Sequence, residues 1–128
     1  MKNLAKTLVL ILIFMISTVT VFADTMEDDT FHSTYTNLSS SKVVTFYART
    51  KTIQSKIYVS SCHLYKKNGN DWVWNRSLPA PSESATNATT FGTTKDYSSY
   101  IGSGTYRIYV TYRTTNDSIS KYTNIQTY

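Results

Sequence analysis

Apolar and polar residues alternate along most of the chain after residue 30, a pattern typical of β-strands with one buried face. Serine, threonine and tyrosine dominate this part, and the three- and four-residue spacing of an amphipathic helix is almost absent. The alternation is clearest in Thr105–Thr115. It predicts an inner face of Tyr106, Ile108, Val110 and Tyr112 and an outer face of Arg107, Tyr109, Thr111 and Arg113.

The same pattern predicts seven strands, which are Phe31–Leu38, Lys42–Thr52, Lys56–Lys67, Asp71–Leu78, Ala88–Tyr97, Thr105–Thr115 and Ile119–Thr127. Asn68-Gly69 is the strongest turn signal and predicts a hairpin between the third and fourth strands. A change of phase among the apolar residues of the third strand predicts a bulge near Ser60–Cys62. Short strands joined by turns are typical of a sandwich or a small barrel. We expect a single all-β domain, a seven-stranded antiparallel β-sandwich.

The first residues have the three-part pattern of an export signal. Lys2 and Lys6 give a basic start, Leu8–Ile16 is an unbroken apolar run, and Val21 and Ala23 are the small residues that cleavage requires. The apolar run is short for a stable membrane span. We therefore expect cleavage after Ala23 and a secreted, extracellular mature protein without a membrane span. The predicted divisions are a signal peptide over 1–23, an acidic flexible leader over 24–30 and a β-sandwich domain over 31–128.

Charge narrows the choice of partner. The mature chain carries eleven basic and eight acidic residues, a net charge of +3, and residues 31–128 carry eleven bases against four acids, or +7. A basic surface favours anionic partners, although the same charge could serve solubility alone. We expect an anionic cell-wall polymer, a glycan or a surface protein, bound by a monomer. The lack of a run of five or more Lys and Arg favours solubility as the role of the charge, and the expected secretion argues against nucleic acid as a partner.

Two short motifs carry a resemblance to known proteins. The segment Gly104–Val110 is similar to the sixth strand of immunoglobulin-like and fibronectin-III-like domains, where a tyrosine hydroxyl bonds to nearby backbone. The Lys-Lys-x-Gly-x-x-Trp hairpin of Lys66–Trp72 resembles that of a family of small secreted Gram-positive bacterial proteins of unknown function. The resemblance covers about residues 31–123 and implies an immunoglobulin-like sandwich. Cys62 is the only cysteine, so the inter-sheet disulfide of antibody domains is missing.

Catalytic chemistry has little support in the sequence. Cys62 and His63 are adjacent on a strand, so their side chains should point to opposite faces and could not share a proton. We expect Cys62 to be a buried, unreactive thiol. Two histidines and one thiol without ligand spacing predict no metal site, and no cofactor is expected. The acids available for glycoside hydrolysis all fall on turns or loops, and they are Asp71, Glu83, Asp96 and Asp117.

Two groups of residues are candidates for ligand binding. Trp72 and Trp74 share one face of the fourth strand and form either an exposed aromatic shelf or part of the core, and we expect Trp72 at least to be in the core. In an immunoglobulin-like arrangement the third and seventh strands flank the sixth. That order would place Lys56 and Tyr58 beside the outer face of the sixth strand, as a basic, tyrosine-rich surface. The candidate residues of this surface are Arg107, Tyr109, Arg113, Tyr58 and Lys56.

The sequence therefore predicts a secreted, non-catalytic binding module for a cell-envelope polymer or a surface protein, and not an enzyme. A first alternative is a secreted effector, similar to a bacteriocin or a toxin, acting on other cells. A second alternative is a small hydrolase that uses loop acids. For the outer face of the sixth strand, the alternative is an ordinary hydrated sheet surface, on which tyrosine and arginine are favourable anyway.

Overall fold

A computed structural model of the chain, which describes residues 23–25 and 30–128, contains β-strands and no helix in those ranges. No helix in the described part is therefore long and apolar enough to cross a membrane. The predicted signal peptide lies almost wholly outside the described residues. The strands are β1 Ala23–Thr25, β2 Phe31–Leu38, β3 Val43–Asn68, β4 Asp71–Leu78, β5 Ser84–Asp96, β6 Thr105–Thr114, β7 Ser118–Tyr122 and β8 Gln126–Thr127.

The largest departure from the predicted strands is β3, which joins the second and third of them into one strand of 26 residues. The linking segment around Ile53 contains no glycine, proline or asparagine to stop the strand. Pairing with β5 resumes at Gln54 after an irregularity that begins at Arg49, so the backbone bends there without leaving the sheet. The last predicted strand divides into β7 and β8, and β1 was not predicted.

All the strands pair antiparallel in one eight-stranded sheet, which curls into a half-barrel with β3 at its centre. Phe46 pairs with β2 on one edge and β5 on the other, and Leu64 pairs with β6 on one edge and β4 on the other. Strands β4 and β5 thus follow each other along one edge of β3, and β2 and β6 follow each other along the opposite edge. β7 and β8 extend the sheet beyond β6. The prediction of an all-β antiparallel domain is confirmed, although the two halves belong to one continuous sheet.

The core fills the concave side of this sheet. Alternate residues of β6 are buried, so the predicted inner and outer faces of this strand are confirmed. The predicted bulge in β3 is also present, as a register shift between Val59 and Ser61 that keeps both Ile57 and Leu64 in the core. Tyr112 crosses the core, and its hydroxyl lies 2.5 Å from Thr36 Oγ1 of β2. The remaining core side chains include Phe31, Leu38, Val44, Phe46, Phe91, Tyr97, Ile101 and Ile108.

The β3–β4 hairpin confirms the predicted turn, with a shift of one residue. Its two central residues are Gly69 and Asn70, because Asn68 still pairs with Asp71. Gly69 has a φ of 66°, which glycine adopts without a steric penalty. The hairpin runs past the start of β6, where Lys66 pairs with Tyr106. Its tip therefore projects beyond the core.

Candidate functional site

The convex face of the sheet carries the predicted outer residues of β6. Strands β3 and β7 flank β6, as the sequence predicted, and directly paired residues share a face. Arg107 pairs with Tyr65 of β3, and Tyr109 pairs with His63 of β3 and with Tyr122 of β7. The rings of Tyr109 and Tyr122 lie 4.7 Å apart between centroids, and those of Tyr65 and Tyr122 lie 5.9 Å apart. Three tyrosines thus surround one arginine.

Arg107 is stacked between two aromatic rings. Its Cζ lies 4.4 Å from the ring centroid of Trp72 and 3.9 Å from that of Tyr122. Both distances are within the range of a cation–π interaction, which desolvation strengthens. Arg107 Nε is buried and has no hydrogen-bond partner among the residues that the structure describes. Arg107 as a whole is half-buried, and the ring stack holds its guanidinium in place without a carboxylate partner among the described residues.

The prediction that Trp72 belongs to the core is wrong. Trp72 is half-buried on the convex face, where Arg107 covers one side of its ring and Lys67 Nζ lies 5.7 Å from the ring centroid. Trp74 is 54% exposed, and Val73 between them is 47% exposed. Both faces of β4 are open here because the hairpin projects past the start of β6. The tryptophans are on the same face as Tyr65, which pairs with Trp74.

We define the outer aromatic surface as five side chains that meet on the convex face: Tyr65, Trp72, Arg107, Tyr109 and Tyr122. Sequence reasoning found Trp72, Arg107 and Tyr109 but placed the tryptophan elsewhere. It missed Tyr65 and Tyr122. Alternation within β7 could have identified Tyr122, because Ser118, Ser120 and Tyr122 lie on one face of that strand. Lys121, the neighbour of Tyr122 on β7, pairs with the inner residue Val110 and is not part of this surface.

The other predicted ligand-binding residues form a separate group. Lys56 Nζ lies 4.5 Å from the ring centroid of Tyr58, and Tyr58 pairs with Arg113 of β6. Arg113 is six residues beyond Arg107, a separation of about 20 Å along a strand. The predicted set therefore does not meet at one point. It forms two basic, aromatic groups at opposite ends of the same face.

The described residues offer little for nucleophilic or metal chemistry. Cys62 is buried as predicted, and burial raises its pKa to about 11 although Tyr97 Oη lies 3.8 Å from its Sγ. His63 lies on the opposite face, with its Nδ1 at 3.4 Å from Ser77 Oγ. Within residues 23–25 and 30–128, no three His, Cys, Asp or Glu side chains form a group that could hold a metal ion.

The prediction that all four candidate acids for hydrolysis lie on turns or loops is wrong for two of them, since Asp71 begins β4 and Asp96 ends β5. Two of the four acids have structural contacts. Asp96 accepts a hydrogen bond from the backbone N–H of Ser98 at 2.8 Å, and this bond lowers the pKa of its carboxyl group. Asp117 accepts a hydrogen bond from the hydroxyl of Thr30 and lies at the turn between β6 and β7. Both carboxylates thus stabilise local backbone or link neighbouring segments, which is the common role of acids in loops.

No family model and no curated protein matches this chain. What the outer aromatic surface can do follows from its own chemistry. A guanidinium held flat between rings offers its remaining N–H groups to an anion in a fixed fork. The neighbouring tyrosine rings offer faces for apolar groups and hydroxyls for hydrogen bonds. The combination suits a ligand that carries both negative charge and flat apolar faces.

Proposed function

We propose that this protein is a secreted, non-catalytic binding module that holds an anionic, sugar-bearing polymer of the cell envelope on its outer aromatic surface. The observation that carries the proposal is the stack of Arg107 between Trp72 and Tyr122, at 4.4 and 3.9 Å, without a carboxylate partner in the part of the chain that the structure describes. The proposal that the protein is secreted rests on the sequence, which predicts an export signal ahead of the domain.

The stack favours binding because it fixes the arginine before the ligand arrives. A free arginine loses side-chain entropy when it is immobilised, at a cost of about 0.5–1.5 kcal/mol, and a stacked one has already lost most of it. Hydrogen bonds from a charged donor contribute about 1.5–3 kcal/mol each where water is excluded. Tyr109 and Tyr65 lie beside the guanidinium and supply ring faces for the sugar.

An extended polymer suits the surface better than a small ligand does. The group of Lys56, Tyr58 and Arg113 lies about 20 Å along the same face, which a chain of several sugar units can span. Contacts of this kind are individually weak and screened by salt. When two such groups bind one chain, the second contact becomes intramolecular and the overall affinity rises.

The proposal is tested by replacing Arg107 with glutamine and measuring retention on purified cell walls by co-sedimentation. We expect retention to fall about tenfold or more, since one charge-assisted hydrogen bond and the ring stack are lost together. Retention of the parent should also fall steeply as the salt concentration rises.

The matched control is Arg49→Gln, which removes the same charge from an exposed position in the first half of β3. It should bind walls as the parent does. Equal retention by the Arg107→Gln and Arg49→Gln variants would contradict the proposal and leave net charge as the only basis of binding. A urea titration of each variant checks that the comparison is made on folded protein.

We also propose that the curled sheet is an immunoglobulin-like sandwich, as the sequence resemblance implies. Two features support this. β3 and β7 flank β6, and Tyr106 Oη donates a hydrogen bond to the Ser103 carbonyl three residues upstream at 3.0 Å. The second feature matches the tyrosine corner of such domains.

A further inference from the structure

A cleft lies at the tip of the β3–β4 hairpin, next to the outer aromatic surface. Its volume is about 280 Å³. Its lining residues are Lys66, Lys67, Asn68, Val73, Trp74 and Asn75. The candidate site described above does not include this cleft, and of its lining residues only Trp74 was predicted from the sequence to bind a ligand.

Local backbone features build the cleft. The register of the hairpin shifts at Leu64 and Tyr65, which pair with Arg76 and Trp74, so Asn75 is an extra residue on β4. An extra residue of this kind bends its strand and changes the direction of neighbouring side chains. No strand of the described ranges packs over the tip, and Val73 and Trp74 remain about half exposed. The cleft is thus open to a ligand from solution.

The lining combines positive charge, amide groups and one large ring. Lys66 Nζ lies 5.7 Å from the ring centroid of Tyr106, and Lys67 Nζ lies 5.7 Å from that of Trp72. Neither ammonium group has a carboxylate partner among the described residues. The two lysines are neighbours on a strand and point to opposite faces: Lys66 pairs with the inner residue Tyr106, and Lys67 pairs with Trp72 on the convex face. Lys67 is therefore the lysine that shares the face of Trp74 and can offer its hydrogen-bond donors to an anion there. The amides of Asn68 and Asn75 can both donate and accept, as sugar hydroxyls require.

We propose that this cleft binds one anionic pyranose unit, a sugar ring that carries a carboxylate or a phosphate. The indole of Trp74 stacks on the C–H face of the ring, Lys67 binds the anion and the two asparagines bind the hydroxyls. The volume is just below the roughly 300–1,000 Å³ of pockets for drug-sized ligands, which suits a single sugar ring. The proposal rests on the proposed function, which it deepens by naming the unit of the polymer that the hairpin tip recognises.

A titration of the ¹⁵N-labelled protein, residues 24–128, with three monosaccharides tests the proposal. The probes are glucuronate, glucose 6-phosphate and neutral glucose, and the signals followed are the indole N–H of Trp74 and the side-chain amides of Asn68 and Asn75. We expect at least one of the two acids to shift these signals and to bind about tenfold or more tightly than glucose. The stronger of the two shows whether the anion is a carboxylate or a phosphate. Equal binding of glucose, or no shift with either acid, would overturn the proposal.

Two single variants separate the cleft from general charge. Lys67→Gln should weaken binding of the acidic sugar about tenfold or more, and Lys51→Gln should leave it unchanged, because Lys51 is exposed in the first half of β3. Equal affinities for the two variants would also overturn the proposal.

The results of the monosaccharide titration can be distinguished from those of the wall-binding test of the proposed function. Acidic sugars that bind while the Arg107→Gln variant sediments with walls like the parent would support the cleft and contradict the proposed role of the outer aromatic surface. Wall binding that depends on Arg107, without any monosaccharide binding, would contradict the cleft alone.

Discussion

Replacing Tyr112 by phenylalanine is expected to lower the free energy of unfolding by about 2–4 kcal/mol, because a buried hydrogen-bond donor or acceptor left unsatisfied costs about 1–3 kcal/mol. The Tyr112 hydroxyl lies 2.5 Å from Thr36 Oγ1 and accepts the backbone N–H of Tyr47 at 3.2 Å. It also donates to the Tyr35 carbonyl at 3.3 Å. Tyr112 is fully buried, so water cannot replace these bonds, and burial raises the pKa of its hydroxyl.

The matched control is Tyr109→Phe, which removes a hydroxyl three residues away on the convex face of the same strand. It should change the free energy of unfolding by no more than about 0.5 kcal/mol in a urea titration. The difference in stability between the two variants shows whether the Tyr112 side chain reaches from β6 to β2 across the core. Equal losses from the two substitutions would mean that the curl does not bring the Tyr112 hydroxyl to β2 and the first half of β3.

Replacing Phe46 by alanine is expected to cost about 3–5 kcal/mol, the range for a large aromatic side chain removed from a packed core. Phe46 is fully buried and lies in the first half of β3, paired with Thr36 and Thr93. Leu64 occupies the second half of the same strand and belongs to the same core. The loss should therefore appear as a lower midpoint of one cooperative transition, measured by tryptophan fluorescence and circular dichroism together.

Thr45→Ala is the control for Phe46, because Thr45 is half-buried on the opposite face of β3. We expect it to change stability by about 0.5 kcal/mol or less. Two separate transitions in the Phe46→Ala variant, one for each half of β3, would show that the halves have independent cores. That result would contradict a single curled sheet.

The sequence predicted β6 well because this strand has paired neighbours on both edges and one buried face. Under those conditions burial follows the side-chain alternation, and every inner residue from Tyr106 to Tyr112 is buried. The β3–β4 hairpin was predictable for a different reason, since Gly69 supplies the positive φ that its turn requires. The bulge between Val59 and Ser61 was visible as a change in apolar phase.

What the sequence missed depends on distant contacts. The alternation breaks around Ile53, which is 71% exposed, and this suggested two strands. Because β3 pairs with β5 on both sides of Ile53, the strand continues there. The local sequence around Ile53 does not indicate this pairing. Trp72 has the size and apolarity of a core residue, but the length of the hairpin relative to β6 places it outside.

The separation of the predicted ligand-binding residues into two groups also depends on contacts between distant parts of the chain. Sequence reasoning placed Lys56 and Tyr58 beside Arg107 because β3 and β6 were expected to be neighbours, and they are. The register then decides which residues meet: Tyr58 pairs with Arg113, and Tyr65 pairs with Arg107. A register cannot be deduced from alternation alone, because a shift of two residues leaves every side chain on the same face.

The most direct test of the central claim is a nuclear magnetic resonance titration of the ¹⁵N-labelled protein, residues 24–128, with soluble teichoic acid, a phosphate-bearing envelope polymer. The Nε–H of Arg107 is a sensitive signal because it is buried without a partner in the described part of the chain. We expect this signal and the backbone amides of Tyr109 and Tyr122 to shift in a saturable way at low salt, with Tyr112 in the core unchanged. Shifts confined to other parts of the sheet, or no shifts, would contradict the claim that the outer aromatic surface is the binding site.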